Sequence, residues 1–423
     1  MSTLALLLPL CLAPQEPSDD AWTQRGGPTR DFRRPATVEL TEHFGPWGPR
    51  KLWKRPLGDG YSALLFEDGR LFAQYREGEE EVLACLAAET GETRWSFRYE
   101  APVYEEMDRG YGDGPNATPL LYEGRLFAAS IDGQLHALDA ATGALAWRLD
   151  LHERYGRQER REEYGFSASP IEVDGRLLLL VGGDPHGVVA LDPEDGAHLW
   201  GSPPCGVSYA QGTVIELEEG PQLVFFSPTA AIGMDARTGA FRWHFPVENM
   251  FQNNLTPALH LGERRVWIAS QLNGGSRVLR IPAADADPGT SPEVLWEKRA
   301  VQQAHWDSFR EGDLVYGSLG GNMSSTLAGI HWKTGEVAWK YRGFHLAKGV
   351  LVGDRFYFLD ENGQLGIAQF SPEGAEILDS RQLTERVSWT PPTLVGQVLY
   401  VRDRKHAMAV DLSPEAYEEP EED

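Results

Sequence analysis

Short apolar runs separated by turn residues recur along most of this chain. In each run, apolar and polar positions alternate with a period of two or the run is apolar throughout, which is typical of β-strands and not of helices. Eight such runs are present: GRLFAQY at 69, GRLFAAS at 124, GRLLLLV at 175, PQLVFFS at 221, RRVWIAS at 264, GDLVYGS at 312, DRFYFLD at 354 and GQVLYVR at 396. The pattern therefore predicts an all-β repeat protein.

A second phrase, LDAATGALAW at 138–147 and its variants, follows the apolar run in most units. It places a Trp four residues after a turn Gly, as in Gly91/Trp95, Gly143/Trp147, Gly196/Trp200, Gly239/Trp243 and Gly335/Trp339, while Gly374/Leu378 keeps the spacing without the indole. With Trp53, Trp296 and the Leu378 position included, these positions are 39 to 53 residues apart, the length of a four-stranded propeller blade. We expect the Gly to form a tight turn and the Trp to pack under the neighbouring blade.

Closure of the ring is predicted from the two ends of the repeat region. The eighth unit, VSWTPPTLVGQVLYVRDRKHAMAVDL, contains only three strands, and the early segment GPRKLWKRPL at 48–57 offers a fourth. Completing the last blade with an N-terminal strand removes an open sheet edge. The predicted fold is an eight-bladed β-propeller of four-stranded antiparallel blades over residues 40–413, followed by an acidic tail at 414–423.

These motifs resemble a known repeat family. LDAATGALAW, preceded by GPNATPLLYEGRLFAAS, is similar to the PQQ-like β-propeller repeats of quinoprotein dehydrogenases and of the non-enzymatic BamB-like propeller of outer-membrane barrel assembly. WTQRGGPTRDFRR at 22–34 resembles the leader that precedes the propeller in many exported members. The resemblance covers nearly the whole chain and implies the fold, but a fold of this kind hosts several functions.

The N-terminus predicts export. An apolar run from Leu4 to Ala13 is too short to span a bilayer and suits a signal peptide, here residues 1–13, followed by a leader or linker at 14–39. A disordered apolar terminus is the alternative, and Cys11 offers a lipoprotein variant of export. We expect the protein in the periplasm or cell envelope, with no transmembrane span.

The charge and the cysteines exclude some classes of function. The net charge of −24 disfavours a nucleic-acid partner, because a phosphate backbone would be repelled. Cys85 and Cys205 fall in units that a ring holds far apart, so we expect no disulfide between them. We expect a monomer whose partner is an unknown protein or small molecule at the propeller funnel.

The funnel is predicted from the residues at the start of each innermost strand. Aligning the units suggests cofactor- or ligand-binding candidates at Tyr61, Asn116, Ser167, Asn254, Trp306, Lys348 and Trp389, with weak catalytic candidates at Asp307, His305 and His345. Ser, Thr and Asn at strand starts also satisfy backbone groups in any propeller, and this purely architectural role is the favoured interpretation.

The residues that the quinoprotein enzymes use are missing in the sequence. The resemblance would imply PQQ clamped by a vicinal Cys-Cys disulfide, with Ca²⁺ beside a catalytic Asp, but no two cysteines are adjacent here. The leading prediction is a non-enzymatic interaction platform or small-ligand receptor with no cofactor. The alternatives are a PQQ- and calcium-dependent alcohol or sugar dehydrogenase, and a lyase or hydrolase that uses His305, Asp307 and His345.

Overall fold

The computed structural model describes residues 21–103, 107, 110, 112–156, 165–247, 249–250, 252–271, 274–303, 307–321 and 324–418. They form eight sheets, each with four strands of one antiparallel blade, so the predicted eight-bladed propeller is confirmed. The signal peptide at 1–13, Cys11 and the end of the acidic tail lie outside the described residues.

Blades one to seven each run from an innermost to an outermost strand in chain order. Blades one to four are formed by β3 (Leu65–Glu67), β4 (Arg70–Glu77), β5 (Glu80–Ala87) and β6 (Thr93–Glu100); β7 (Leu120–Tyr122), β8 (Arg125–Ala129), β9 (Gln134–Asp139) and β10 (Leu145–Asp150); β11 (Ile171–Val173), β12 (Arg176–Leu180), β13 (Val188–Leu191) and β14 (His198–Gly201); β15 (Thr213–Leu217), β16 (Gly220–Phe226), β17 (Ala230–Asp235) and β18 (Phe241–Pro246). Helix α1 (Leu151–Tyr155) follows blade two.

Blades five to eight continue the same order. They are formed by β19 (Leu259–His260), β20 (Arg265–Ser270), β21 (Gly275–Arg280) and β22 (Glu293–Lys298); β23 (Phe309–Glu311), β24 (Leu314–Gly321), β25 (Ser324–His331) and β26 (Val337–Tyr341); β27 (Lys348–Val352), β28 (Arg355–Leu359), β29 (Gln364–Phe370) and β30 (Ala375–Gln382); β31 (Thr393–Val395), β32 (Val398–Arg402) and β33 (His406–Asp411). A short 3₁₀ helix, Pro414–Ala416, follows.

The fourth strand of blade eight comes from the N-terminal part of the chain. Strand β2 (Lys51–Pro56) pairs antiparallel with β33, with Trp53 opposite Ala409. The closure predicted from the missing strand is confirmed. The two ends of the repeat region therefore share one sheet, and β2 covers the edge that β33 would otherwise expose.

Neighbouring blades are joined at the outer edge by Trp residues that lie on turn glycines. A Cβ added to Gly143, whose φ is +74°, would lie 2.6 Å from the indole of Trp95, and the indole Nε1 donates to the Ala140 carbonyl at 3.2 Å. The same pairing joins Trp53 to Gly91, Trp147 to Gly196, Trp200 to Gly239 and Trp296 to Gly335. The turn needs Gly both for its positive φ and for the close approach of the indole.

Blade seven departs from this pattern, and here the sequence alignment was wrong by one residue. In the other blades the Trp follows a β-bulge, and in blade seven the bulge skips Leu378, so Asp379 takes the Trp position opposite Ile367. An Asp cannot fill the volume of an indole. Its carboxylate accepts the backbone N–H of Phe44 at 2.8 Å, and Phe44 is fully buried in contact with Tyr417, at a ring distance of 6.1 Å.

Residues 22–34, which we call the strap, pack across one end of the central channel. Strand β1 (Arg33–Arg34) pairs parallel with β27 of blade seven, and Trp22 forms a two-way backbone bridge with Phe66 of blade one. Further strap contacts reach the ends of the innermost strands of blades two, three and six: Thr23 with Leu121, Arg30 with Glu172, and Arg33 with Arg310. The strap, which belongs to the predicted leader, is therefore packed against the innermost strands of the ring.

The glycines of the RGGP motif make the strap possible. Gly26 and Gly27 have φ of +83° and +73°, and a Cβ on Gly27 would come within 3.0 Å of the Trp22 ring. The indole and Phe32 are completely buried in the core. In the described part of the chain, no helix has the length and apolar character needed to cross a membrane. Cys85 and Cys205 are both free.

Candidate ligand cavity at the centre of the ring

A cavity of about 230 Å³ lies at the centre of the ring, where the innermost strands begin. Its described lining residues come from seven blades and from the strap: Arg25, Tyr61, Asn116, Thr118, Ser167, Ser169, Tyr209, Gln211, Asn253, Leu255, Lys348, Trp389 and Pro391. Because the strap crosses the other end of the channel, Arg25 enters the cavity from that side.

Several hydroxyl side chains on the wall or beside it hold adjacent blades together. The Ser62 hydroxyl donates to the Ala117 carbonyl at 2.6 Å, the Thr118 N–H donates to the Ser169 hydroxyl at 2.9 Å, and the Thr390 hydroxyl donates to the Tyr61 carbonyl at 3.1 Å. These side chains satisfy buried backbone groups that no strand ladder reaches. For this subset, the architectural interpretation made from the sequence agrees with the contacts.

Two aromatic side chains form one wall of the cavity. The rings of Tyr61 and Trp389 are stacked, with centroids 5.2 Å apart and planes inclined by 28°. The Trp389 Nε1 donates to the Glu361 carboxylate at 2.9 Å, which holds the indole in place. Burial raises the pKa of Tyr61 to about 12, so its hydroxyl stays neutral. The wall offers a flat apolar surface with a hydroxyl donor beside it.

A charged pair connects the strap to blade six. Arg25 donates from one terminal nitrogen to both carboxylate oxygens of Asp307, each at 2.7 Å, and the two side chains are only 20% and 14% exposed. The guanidinium also lies 5.2 Å from the centre of the Phe32 ring. A half-buried pair with this geometry is held more firmly than a surface ion pair. It fixes Arg25 at the cavity and neutralises Asp307.

Lys348 begins strand β27 and directs its amine into the same cavity. Burial lowers the pKa of this amine to about 8; the nearby Asp307 raises it and the nearby Arg25 lowers it. Among the described residues, Nζ makes no hydrogen bond and no ion pair. Lys348 is therefore a cation that the protein keeps near the cavity without a carboxylate bound to it.

The structure brings together most of the residues predicted for the funnel. Five of the predicted binding residues line the cavity: Tyr61, Asn116, Ser167, Lys348 and Trp389. Whether they bind a ligand stays a prediction. Trp306 and His305 lie outside the described residues.

One predicted funnel residue is misplaced by a single position. Asn254 is completely buried in the wall, where its side chain contacts Asn249 and the Ser227 carbonyl, and Asn253 lines the cavity in its place. The register shifts because the backbone of Asn254 is already bound to the Ser208 hydroxyl of the preceding blade.

Of the catalytic candidates, Asp307 and His345 are described, and neither lines the cavity. His345 is 40% exposed, with its Nδ1 3.9 Å from the Glu361 carboxylate, and it is not among the described lining residues. Asp307 is engaged by Arg25 on both oxygens. A general base must lie within reach of its substrate, and neither Asp307 nor His345 is among the described lining residues of the cavity.

The lining does not fit the calcium that a quinoprotein enzyme would need. Calcium prefers carboxylate and carbonyl oxygens, whereas the described lining residues include two cations and no Asp or Glu. In the described part of the chain, no three His, Cys, Asp or Glu side chains are grouped to hold a metal ion. We derive no catalytic step through PQQ or calcium.

Sequence reasoning missed Arg25, Tyr209 and Gln211 as lining residues. The side-chain amide oxygen of Gln211 accepts a hydrogen bond from the Ser169 N–H at 3.2 Å, so Gln211 continues the wall from blade three to blade four. Arg25 belongs to no repeat, and the only available signal was the RGGP motif in the leader, whose paired glycines indicated a tight turn.

Comparison with known proteins agrees with the geometry of the ring. The family model described as outer membrane protein assembly factor BamB matches residues 48–148 and 78–341, which together cover more than half of the chain. The chain belongs to the PQQ-like β-propeller family. The fold and the family predicted from the repeat motifs are both confirmed.

Relatives of two kinds share this fold. BamB of Shewanella oneidensis is 24% identical over 84% of this chain and 87% of its own length. The quinohemoprotein alcohol dehydrogenase ADH-IIG of Pseudomonas putida is 26% identical over 44% of this chain, and the match spans only 26% of the dehydrogenase.

Solved structures of both kinds superimpose on the ring. The crystal structure of BamB from Moraxella catarrhalis has a TM-score of 0.60 at 15% identity, over 86% of this chain and 99% of BamB. The structure of ADH-IIG has a TM-score of 0.64, also at 15% identity, over 95% and 81%. Likeness at this level shows the fold and does not choose between the two functions.

Proposed function

We propose that this protein is an exported, non-enzymatic propeller that acts as a binding protein of the cell envelope, with a small-ligand receptor site in its central cavity. The observation that carries the proposal is the cavity itself, which the strap closes at one end and which combines an aromatic wall, amide and hydroxyl groups and an unpaired amine. Pockets of this composition are typical ligand sites.

The similarity to BamB supports a binding role in the envelope. It extends over most of both chains, whereas the dehydrogenase match is confined to about a quarter of the enzyme. A role as a protein-interaction platform, in which the outer faces of the ring bind a partner, follows from the same similarity and is compatible with a ligand in the cavity.

Native mass spectrometry tests the receptor role directly. The mature protein is isolated from the envelope fraction of its host and its mass is compared before and after denaturation. We expect a small molecule to be released from the wild type and to be missing in a variant whose cavity is filled by Ser167→Trp. Recovery of ligand-free protein in both cases, or recovery of the chain from the cytoplasm with its first residues intact, would contradict the proposal.

A quinone-dependent alcohol or sugar dehydrogenase is the second candidate, because part of the chain matches such enzymes. The test adds PQQ and Ca²⁺ to the purified protein, follows quenching of tryptophan fluorescence, and measures dye reduction with a panel of alcohols and aldoses. We expect no turnover. Saturable binding with turnover that disappears in Asp307→Asn would establish the enzyme in place of the receptor.

A further inference from the structure

The charge of the cavity is opposite to that of the whole protein. The chain carries a net charge of −24, yet the described lining residues include Arg25 and Lys348 and no acidic side chain. Asp307 compensates one of the two cations through its double contact with Arg25. Within the described part of the chain, no carboxylate is hydrogen-bonded or ion-paired to the amine of Lys348. A local field of this sign favours an anion.

The environment of Lys348 explains why an anion would be bound and not merely attracted. Lys348 is partly buried, and partial burial of an ammonium without a partner disfavours its charged form and lowers its pKa. The pKa of Lys348 is lowered to about 8 by burial, against the pull of Asp307. A carboxylate placed beside Nζ would restore the charged form through a charge-assisted hydrogen bond.

The other lining residues indicate the shape and polarity of the ligand that the cavity can hold. Tyr61 and Trp389 provide a flat aromatic surface, and Leu255 and Pro391 add apolar contacts. Asn116, whose amide donates to the Ser167 hydroxyl at 3.3 Å, provides polar groups at the side. The volume of about 230 Å³ lies below the range of about 300–1,000 Å³ that holds drug-sized ligands. The cavity therefore suits a small molecule with one flat or ring-shaped part.

We propose that the central cavity binds a small organic carboxylate, with the carboxylate on Lys348 Nζ and the body of the molecule against the Tyr61–Trp389 wall. This inference rests on the proposed receptor function and names its ligand class. Arg25 acts as a positioning residue: it holds Asp307 so that this carboxylate does not occupy the amine in place of the ligand.

The experiment compares benzoate with benzamide, which has the same shape and no charge. Binding to the purified full-length protein is measured by isothermal titration calorimetry at pH 7. We expect benzoate to bind and benzamide to bind about 10- to 100-fold more weakly, the range expected for loss of a hydrogen bond to a charged group. Lys348→Met should weaken benzoate by a similar factor, and Lys348→Arg should restore much of it.

The control variant is Lys333→Met, which removes an exposed lysine that is paired with Asp313 on the outside of blade six. It should leave benzoate binding unchanged. A pH series adds a second readout: because binding requires both the ammonium of Lys348 and the benzoate anion, affinity should be constant between about pH 5.5 and pH 7 and fall as the pH rises through 8 in the wild type. The Lys348→Arg variant should not show this fall.

The outcomes separate this inference from the proposed function. If benzoate and benzamide bind equally and Lys348→Met has no effect, the carboxylate inference is wrong while the receptor function stands. Failure of benzoate to bind up to its solubility limit would also overturn the inference. If, in addition, native mass spectrometry releases no small molecule, the receptor function fails with it.

Discussion

At the outer edge of the ring, blade after blade is joined by the same contact between a Trp and the turn glycine of its neighbour, whereas the centre is completed by a strap that belongs to no blade. The edge contact recurs at five junctions between described blades. Trp243 packs on Gly233 of its own blade, Trp339 donates to the Ser371 carbonyl without lying on Gly374, and in blade seven Asp379 replaces the indole. The strap occurs once, and its Arg25 reaches the cavity. Repeated contacts close the ring, and the unique segment contributes to the site.

The largest expected effect comes from deleting the closing strand β2 together with the strap, in comparison with deleting the strap alone. Deleting residues 1–34 removes Trp22 and Phe32 from the core but leaves β2 (Lys51–Pro56) in blade eight, so we expect a lower melting temperature with one cooperative transition. Deleting residues 1–56 opens blade eight and should abolish cooperative unfolding. Differential scanning calorimetry of both proteins checks this. Similar melting of the two deletions would mean that β2 does not close the ring.

The outer contact is tested at Trp147, which lies on Gly196 and donates from Nε1 to the Pro193 carbonyl at 3.1 Å. Trp147→Ala should lower the free energy of unfolding by about 3 kcal/mol, because the pocket against a backbone turn cannot collapse. Trp47→Ala is the matched control, since that indole is 96% exposed and its loss should change the stability by less than about 0.5 kcal/mol. Urea titration measures both. Equal effects would show that the outer tryptophans do not join the blades.

A buried carboxyl between blades one and two provides a third effect, which develops only as the pH rises. Glu81 accepts hydrogen bonds from the Gln74 amide, the Tyr99 hydroxyl and the Ile131 N–H, yet burial raises its pKa from 4.5 to about 7. The folded state therefore binds this proton more tightly than the unfolded state. The resulting stabilisation is complete below pH 4.5 and is lost as the pH rises through 7.

The consequence is measurable with Glu81→Gln, which keeps the shape and removes the titration. Between pH 4.5 and pH 8 the wild type should lose up to about 3 kcal/mol of unfolding free energy relative to the variant. Denaturant titrations at several pH values provide the difference. Parallel pH profiles for the two proteins would mean that Glu81 ionises as freely in the folded state as in the unfolded state.

Local pattern was sufficient for the fold because each blade is built from contacts that are close in sequence. The alternation of apolar residues predicts the strands, the Gly at each turn predicts the hairpins, and the missing strand of the last unit predicts closure by β2. Two alignments failed by one residue, Leu378 for Asp379 and Asn254 for Asn253. A β-bulge, or an irregular segment before a strand, changes which side chains point to a given face of the sheet. The residue pattern in the sequence does not reveal this change.

The cavity was decided largely by tertiary structure. The sequence placed Tyr61, Lys348 and Trp389 at the start of innermost strands, and its repeats determined that such positions meet at the centre of a ring. The sequence contained no sign that Arg25 pairs with Asp307, which lies 282 positions later in the chain. This pairing holds the Asp307 carboxylate so that it does not form an ion pair with the Lys348 amine. A contact between a non-repeated segment and the ring has no period to reveal it, because only the folded chain brings the strap across the channel.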